Sequence, residues 1–250
     1  FTEAISAATF VYTPRITIND VQPPEGPIHG GTRIKIVGSG FGAPTVPSLA
    51  GKSNNISETA GGQSFKCRFA GVAIVPAIVI NSTHMTCTTP AMHETSAGTA
   101  KNSRVLLNQD LPATVLVDVS SNGAQFFGCS GESQKAAEFH YYDSIQLNSM
   151  TPRSGPHQGG TVLSIIGSGF LKSPRLACNV DGFWSPATFV SGSMVKCVVP
   201  PAKMYARIRT RGIVSVSNNG VNFASSSRGT LSFMYHTRPV VEAISPSFGS

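Results

Sequence analysis

The sequence predicts an all-β protein built from tandem two-sheet sandwiches, with little helix. Three observations lead there: a stretch that occurs twice, short runs in which polar and apolar residues alternate, and dense turn residues. The first copy of the stretch is Gly26-Pro27-Ile28-His29-Gly30-Gly31-Thr32, then Arg33-Ile34-Lys35-Ile36-Val37-Gly38-Ser39-Gly40-Phe41. The second is Gly155-Pro156-His157-Gln158-Gly159-Gly160-Thr161, then Val162-Leu163-Ser164-Ile165-Ile166-Gly167-Ser168-Gly169-Phe170. Arg33 and Lys35 point one way and Ile34 and Ile36 the other, as in a strand with one wet and one buried face. The double glycine before each strand fits a turn whose backbone needs positive φ. The chain carries 25 Gly and 17 Pro among 250 residues, and that punctuation suits frequent turns.

The two copies extend into whole repeats that align element by element. Phe65-Lys66-Cys67-Arg68-Phe69 matches Leu176-Ala177-Cys178-Asn179-Val180. The run from Val79 to Cys87-Thr88-Thr89-Pro90 matches that from Phe189 to Cys197-Val198-Val199-Pro200. Val115–Val119 followed by Ser120-Ser121-Asn122-Gly123 matches Ile213–Val216 followed by Ser217-Asn218-Asn219-Gly220. Asn-Gly after an alternating run predicts a tight turn. Phe139-His140-Tyr141-Tyr142 and Phe233-Met234-Tyr235 close the units. Each repeat offers about seven short strands, as a small sandwich requires.

The organisation expected is the end of one repeat at 1–14, a whole repeat at 15–143, a second at 144–238, and the start of another at 239–250. Val241–Gly249 echoes the approach to the second glycine turn. The opening at Phe1, without Met, is expected of a fragment or processed product. The first repeat is the longer. Phe41 to Cys67 is 26 positions, against 8 from Phe170 to Cys178; Cys87 to Asn122 is 35, against 22 from Cys197 to Asn219. The inserts at 42–64 and 91–111 are small and polar and belong on surface loops, where added length costs little. They are either padding or a contact surface.

Gly-Pro-x-x-Gly-Gly-Thr, a strand, Gly-Ser-Gly-Phe, a Cys, Cys-x-x-Pro and Ser-Asn-x-Gly, in that order, resemble the IPT/TIG domain. This module occurs in plexins, in the hepatocyte growth factor receptor and its relatives, and in fibrocystin-type proteins. The resemblance covers nearly the whole chain. It implies tandem immunoglobulin-like sandwiches of the early-immunoglobulin type, used as stalks or adhesion scaffolds. The family also occurs in Rel-type transcription factors and beside starch-degrading catalytic domains, so fold alone does not assign function.

Extracellular members of the family typically bridge the cysteines at these places. The resemblance therefore implies disulfides Cys67–Cys87 and Cys178–Cys197; buried reduced thiols are the alternative. Each bridge would close a loop of roughly 20 residues, stabilising by about 3 kcal/mol. The spacing does not favour zinc, since neither pair is Cys-x-x-Cys and no histidine cluster joins them. Cys129 has no counterpart in the second repeat. A buried thiol, a bond to another chain, and pairing with a cysteine elsewhere are all open to it. Asn55-Ile56-Ser57 and Asn81-Ser82-Thr83 are N-glycosylation sequons, making Asn55 and Asn81 candidate acceptors. Together with the cysteines they point to an extracellular or cell-surface setting.

Catalytic and cofactor motifs are missing from the sequence. The 6 histidines are scattered, with no His-Glu-x-x-His, nucleophile elbow or phosphate loop, and no cofactor is expected. Gly38-Ser39-Gly40 follows a strand but leads into no helical pattern, so it reads as a turn. The 12 acidic residues give neither a glycosidase pair nor a calcium loop. The net charge of +7 is spread without a dense basic stripe, which argues against nucleic-acid binding. Arg207, Arg209 and Arg211 would share one face of an extended segment. That is either a ladder for an acidic partner such as a sulfated or sialylated glycan, or a charged guard on an edge strand. Trp184, the only Trp, is either an exposed anchor or packing over the sandwich rim.

No apolar run is long enough to span a bilayer, so any membrane attachment is expected outside this segment. The resulting expectation is a non-catalytic extracellular structural or adhesion segment: a rod, spacer or filament scaffold, including a ciliary-type fibre. Its partners would be another protein or neighbouring repeats. The alternative is the stalk of a plexin-like receptor ectodomain. An accessory role beside a catalytic domain is a third reading.

Overall fold

Eight short strands form each of two successive units in a computed structural model of the chain. It describes residues 15–42, 65–92, 113–128, 137–202, 211–226, 231–237, 240 and 242–245. The chain divides between Tyr141 and Tyr142. Among the described residues there is no helix.

The first unit holds β1 (Thr17–Gln22), β2 (Glu25–Pro27), β3 (Arg33–Ser39), β4 (Lys66–Phe69), β5 (Ala73–Asn81), β6 (His84–Thr88), β7 (Ala113–Ser120) and β8 (Glu138–Tyr142). Its hydrogen-bonded order is β1-β3-β6-β5-β4-β7-β8-β2. β5 belongs to both layers of the sandwich. Ala73–Pro76 pair with β4, whereas Ala77–Asn81 pair with β6. One layer is thus β1, β3, β6 and the second half of β5, and the other is the first half of β5 with β4, β7, β8 and β2. A strand that changes sheet in this way turns the corner of a sandwich.

The second unit repeats the order with β9 (Gln146–Thr151), β10 (Ser154–Pro156), β11 (Val162–Ser168), β12 (Ala177–Val180), β13 (Phe183–Ser191), β14 (Met194–Val198), β15 (Arg211–Ser217) and β16 (Ser232–His236). Its crossing strand is β13, and the crossing falls at the same dipeptide. Pro76-Ala77 and Pro186-Ala187 stand at the change of partner, and Ala77 and Ala187 donate to the carbonyls of Phe65 and Leu176, both at 3.0 Å. Proline suits the place because it removes a ladder donor where the ladder changes hands.

Two sequence expectations are corrected. The strand count is eight per unit, not about seven, because the leading strand is split between layers. β1 pairs with β3, the chain passes the cis Gln22–Pro23 bond, and β2 joins the far side beside β8. β9 and β10 do the same around the cis Thr151–Pro152 bond, with β10 parallel to β16. The Asn-Gly turns are also wider than two-residue hairpins. Asn122 Oδ1 accepts from the amides of Ala124 and Gln125, at 3.0 and 2.9 Å, and Asn219 Oδ1 accepts from Val221 and Asn222, at 3.0 and 2.9 Å. The side chain closes the loop, and pairing resumes only at Val119–Phe127 and Val216–Ala224.

Alternation supplies the cores. Ile34 and Ile36 of β3 are fully buried between exposed Arg33 and Lys35, as their spacing predicts. In the first unit Phe69, Phe139 and Tyr141 meet edge to face, with centroids 6.0 and 5.0 Å apart. In the second, Phe233 and Tyr235 keep the contact at 5.1 Å, while Val180 stands where Phe69 does. Such ring pairs add about 0.5–1.5 kcal/mol beyond area burial.

The double glycines have separable roles. Gly159 and Gly160 both sit at positive φ, 79° and 82°. A Cβ on Gly159 would also lie 2.7 Å from the Pro201 nitrogen and the Val199 oxygen, whereas a Cβ on Gly160 would meet nothing within 4 Å. Gly160→Ala is therefore expected to cost about 1–2 kcal/mol, the left-handed penalty alone. Gly159→Ala should cost distinctly more, because backbone must move. Urea midpoints of the two variants check this, and equal losses would contradict it.

Candidate functional site

Each sandwich is locked at one end by three sequence motifs that meet. Gly31 donates to the Thr89 carbonyl and Thr89 to the Thr32 carbonyl, both at 2.9 Å, joining the glycine turn to the segment after the second cysteine. The Tyr141 hydroxyl donates to the Pro90 carbonyl at 2.8 Å, and the Tyr235 hydroxyl to Pro200 at 3.1 Å. Gly26 and Gly155 pass so close to Phe139 and Phe233 that a Cβ would lie 2.7 and 2.8 Å from their ring tips. The Gly-Pro-x-x-Gly-Gly-Thr, Cys-x-x-Pro and Phe-x-Tyr segments are thus one packed assembly in each unit. Burial pushes the Tyr141 phenol well above the usual tyrosine range. Burial, then the neighbouring Asp181 carboxylate, raises that of Tyr235.

The layers are joined covalently. Cys67 of β4 is bonded to Cys87 of β6, with Cα atoms 6.5 Å apart, and Cys178 of β12 to Cys197 of β14, at 6.2 Å. All four cysteines are buried in the cores.

The outward faces differ between units. In the first, Arg68 of β4 donates through Nε to Asp118 of β7 at 2.9 Å, and its guanidinium lies 4.5 Å from the centre of the Phe126 ring. Asp118 is buried, and Gly128 packs against its carboxylate. Sequence reading missed this cluster. Its trace was the cross-strand pair Arg68–Asp118, whose counterparts Asn179 and Ser215 are uncharged. In the second unit Trp184 sits on β13 opposite Asn179 and is 69% exposed, so the rim-packing reading does not hold. Arg211 opens β15 opposite Met234, both exposed. Arg207, Arg209, Asn55 and Cys129 lie outside the described residues, as do the inserts apart from their first residues.

Asn81 ends β5 at an exposed turn, where its Oδ1 accepts from the Thr83 amide and hydroxyl, both at 2.9 Å. Among the described residues the histidines sit on different elements. His84 lies beside Thr83, His140 bonds Thr114, and His157 and His236 approach the carbonyls of His236 and Thr237. Among the described residues no three His, Cys, Asp or Glu side chains are grouped to hold a metal. No helix among them is long and apolar enough to cross a membrane.

The IPT/TIG domain model matches residues 16–127 and 146–233. A 58-residue stretch, 23% of the chain, is 31% identical to a probable serine/threonine-protein kinase, drkC, of Dictyostelium discoideum, and spans 8% of that kinase. Among solved structures, the plexin A4 extracellular region, domains 1 to 10, is similar over 97% of the chain and 17% of its own length, at 18% identity and a TM-score of 0.49. A second plexin A4 structure, domains 1 to 8, is similar over 89% of the chain and 18% of its own length, at 17% identity and a TM-score of 0.42.

The Tyr141 phenol makes a pH prediction. The unfolded chain ionises this phenol near pH 10, about the unperturbed value. Its raised pKa in the fold means that the stability it contributes is present below about pH 10 and lost as pH climbs through the higher folded value. The first unit should lose stability above about pH 10. Tyr141→Phe should cost about 1–3 kcal/mol at neutral pH, by orphaning the Pro90 carbonyl, and flatten that alkaline loss. Thermal melts from pH 7 to 11 measure both; an unchanged slope in the variant would refute the assignment.

Proposed function

We propose that this chain, which belongs to the IPT/TIG domain family, is a non-catalytic extracellular scaffold segment whose repeats extend and space surfaces outside the cell. IPT/TIG domains are non-catalytic immunoglobulin-like folds, and both repeats here are built on that plan. The observation that carries the reading is the cross-sheet disulfide at the same place in each unit. Such bonds persist in oxidising compartments and are rare where glutathione keeps thiols reduced.

A cross-braced sandwich suits mechanical work, because its layers stay tied when peripheral strands fray. The segments at 1–14 and 239–250 would belong to neighbouring repeats, and the scaffold would work as a rod or filament in tandem. Its partners would be neighbouring repeats or another protein, met through the outward faces and the two inserts. Arg207, Arg209 and Arg211 would supply contacts to an acidic glycan. The stalk of a receptor ectodomain is the second reading. It uses the same cross-braced repeats, and differs in having a recognition module beyond them.

Antibody raised against the chain should label intact, unpermeabilised cells, and the purified protein should show two intrachain disulfides by non-reducing peptide mapping. Label seen only after permeabilisation, with free thiols, would overturn the reading. Chemical cross-linking on the cell surface separates the two arrangements: ladders of self-linked chains mark a filament, and discrete adducts to another protein mark a stalk. Reduction of the native protein, or the Cys67→Ala/Cys87→Ala variant, is expected to destabilise the first unit by about 2–5 kcal/mol. Denaturant midpoints before and after reduction check this.

A further inference from the structure

From the turn between β5 and β6 we infer that Asn81 carries an N-linked glycan, and that this glycan covers the free apolar edge of β5. The inference rests on the extracellular reading above, since the transfer takes place in the secretory compartment.

The edge comes first. Ala77–Asn81 pair with β6 on one side, and among the described residues no strand pairs with Ile78–Asn81 on the other. Ile78 and Ile80 lie on the outward face there, 46% and 50% exposed. An unpaired edge bearing exposed isoleucines invites strand addition and aggregation. The second unit has the same edge, but Thr188 and Val190 replace the isoleucines, so its edge is less apolar.

The turns at the ends of these edges make the comparison sharper. Asn81-Ser82-Thr83 occupies the place of Ser191-Gly192-Ser193. In the second unit the Ser191 Oγ accepts from the Ser193 amide at 3.2 Å and lies 3.1 Å from the Ser193 hydroxyl. In the first, Asn81 Oδ1 takes the same two contacts from Thr83. Serine thus makes the same two contacts across the turn, and asparagine is not needed for them. What asparagine adds is an Oδ1 contact with His84 Nδ1 at 3.1 Å, and Nδ2, which takes part in none of these bonds. Asn81, Ser82 and Thr83 are all exposed, so the fold leaves room for a bulky substituent. The sequon thus falls on the more apolar edge and is absent from the less apolar one.

The transfer is a substitution at an anomeric carbon. Nδ2 of Asn81 bonds to C1 of the sugar of a lipid diphosphate-linked oligosaccharide. The C1–O bond to the diphosphate breaks, and the lipid diphosphate leaves with the electron pair. One amide proton passes to a base, and no redox partner is needed.

The test uses the protein purified from its natural source and, in parallel, the full chain secreted from a eukaryotic host. Peptide mapping before and after peptide N-glycosidase should show a glycan on the Asn81 peptide and aspartate at 81 after its removal. N81S/T83S, which supplies the two side chains that bond across the second unit's turn, should fold and lack that glycan. Either the variant or enzymatically deglycosylated wild type should self-associate at concentrations where the glycosylated protein stays monomeric by light scattering. Adding I78T/I80V, the residues of the second unit's edge, to the variant should restore the monomer. A bare Asn81 on protein with oxidised cysteines would overturn this inference and leave the extracellular reading standing. Free cysteines in the source material would overturn that reading too. A glycan whose removal leaves association unchanged would overturn the shielding role.

Discussion

In each sandwich one strand has to serve two sheets, and the cystine sits where it changes from one to the other. Cys67 lies opposite Val75 on the first half of β5, and Cys87 lies opposite Ala77 on the second half. Cys178 and Cys197 bracket β13 in the same way, opposite Ser185 and Ala187. The disulfide therefore ties together the two strands that the crossing strand already links by hydrogen bonds. Backbone ladder and covalent bond act at one level of the sandwich. The small side chain at Ala77 or Ala187 leaves space for the sulfurs between the layers. A larger residue there would push the crossing strand away from its second partner, and overpacking of this kind typically costs 1–3 kcal/mol.

This arrangement explains what the sequence showed and what it hid. Alternation at Arg33–Ile36 is a local property, so the exposed and buried faces of β3 could be read directly. The pairing of cysteines came through resemblance to a family, because no spacing alone says which strands face each other. The crossing was hidden by Pro76 and Pro186, which ordinarily argue against a strand interior. A Pro-Ala dipeptide ten residues before the second cysteine in both repeats was the available trace. The split of the leading strand was hidden for a related reason. β2 and β10 are three residues each and take their partners from the far end of the repeat, beyond the reach of any local pattern. The Asn-Gly turns misled because Asn122 and Asn219 act through their side chains, not through a tight backbone turn.

Unequal length between repeats also has a structural basis. In the second unit the fully buried Asn218 donates to the Gly169 carbonyl at 2.8 Å and accepts from the Leu171 amide at 3.0 Å. That side chain pins the segment after Phe170 to the turn after β15. Its counterpart in the first unit is Ser121, too short to make the same two-sided bridge. The longer insert of the first repeat begins at this point, after Phe41. A polar clamp in one copy and a long connection in the other are alternative ways of leaving the same strand end, and loop length itself costs little.

The inside and the outside of the two units follow different rules as a result. Inside, the cystine, the glycine turn and the tyrosine hydroxyl on a proline carbonyl are common to both copies, and each joins segments that are distant in the chain. Outside, corresponding positions diverge: Arg33 and Lys35 stand where Val162 and Ser164 do, Thr86 where Lys196 does, and the Arg68–Asp118 pair where Asn179 and Ser215 do. These outward positions carry none of the bonds that join the layers; Arg68 and Asp118 brace neighbouring strands of a single layer. Surface chemistry can therefore change from repeat to repeat while the cross-braced frame stays fixed. For a chain whose proposed work is to hold surfaces at set spacing, that separation would let each unit meet a different neighbour without altering the frame beneath.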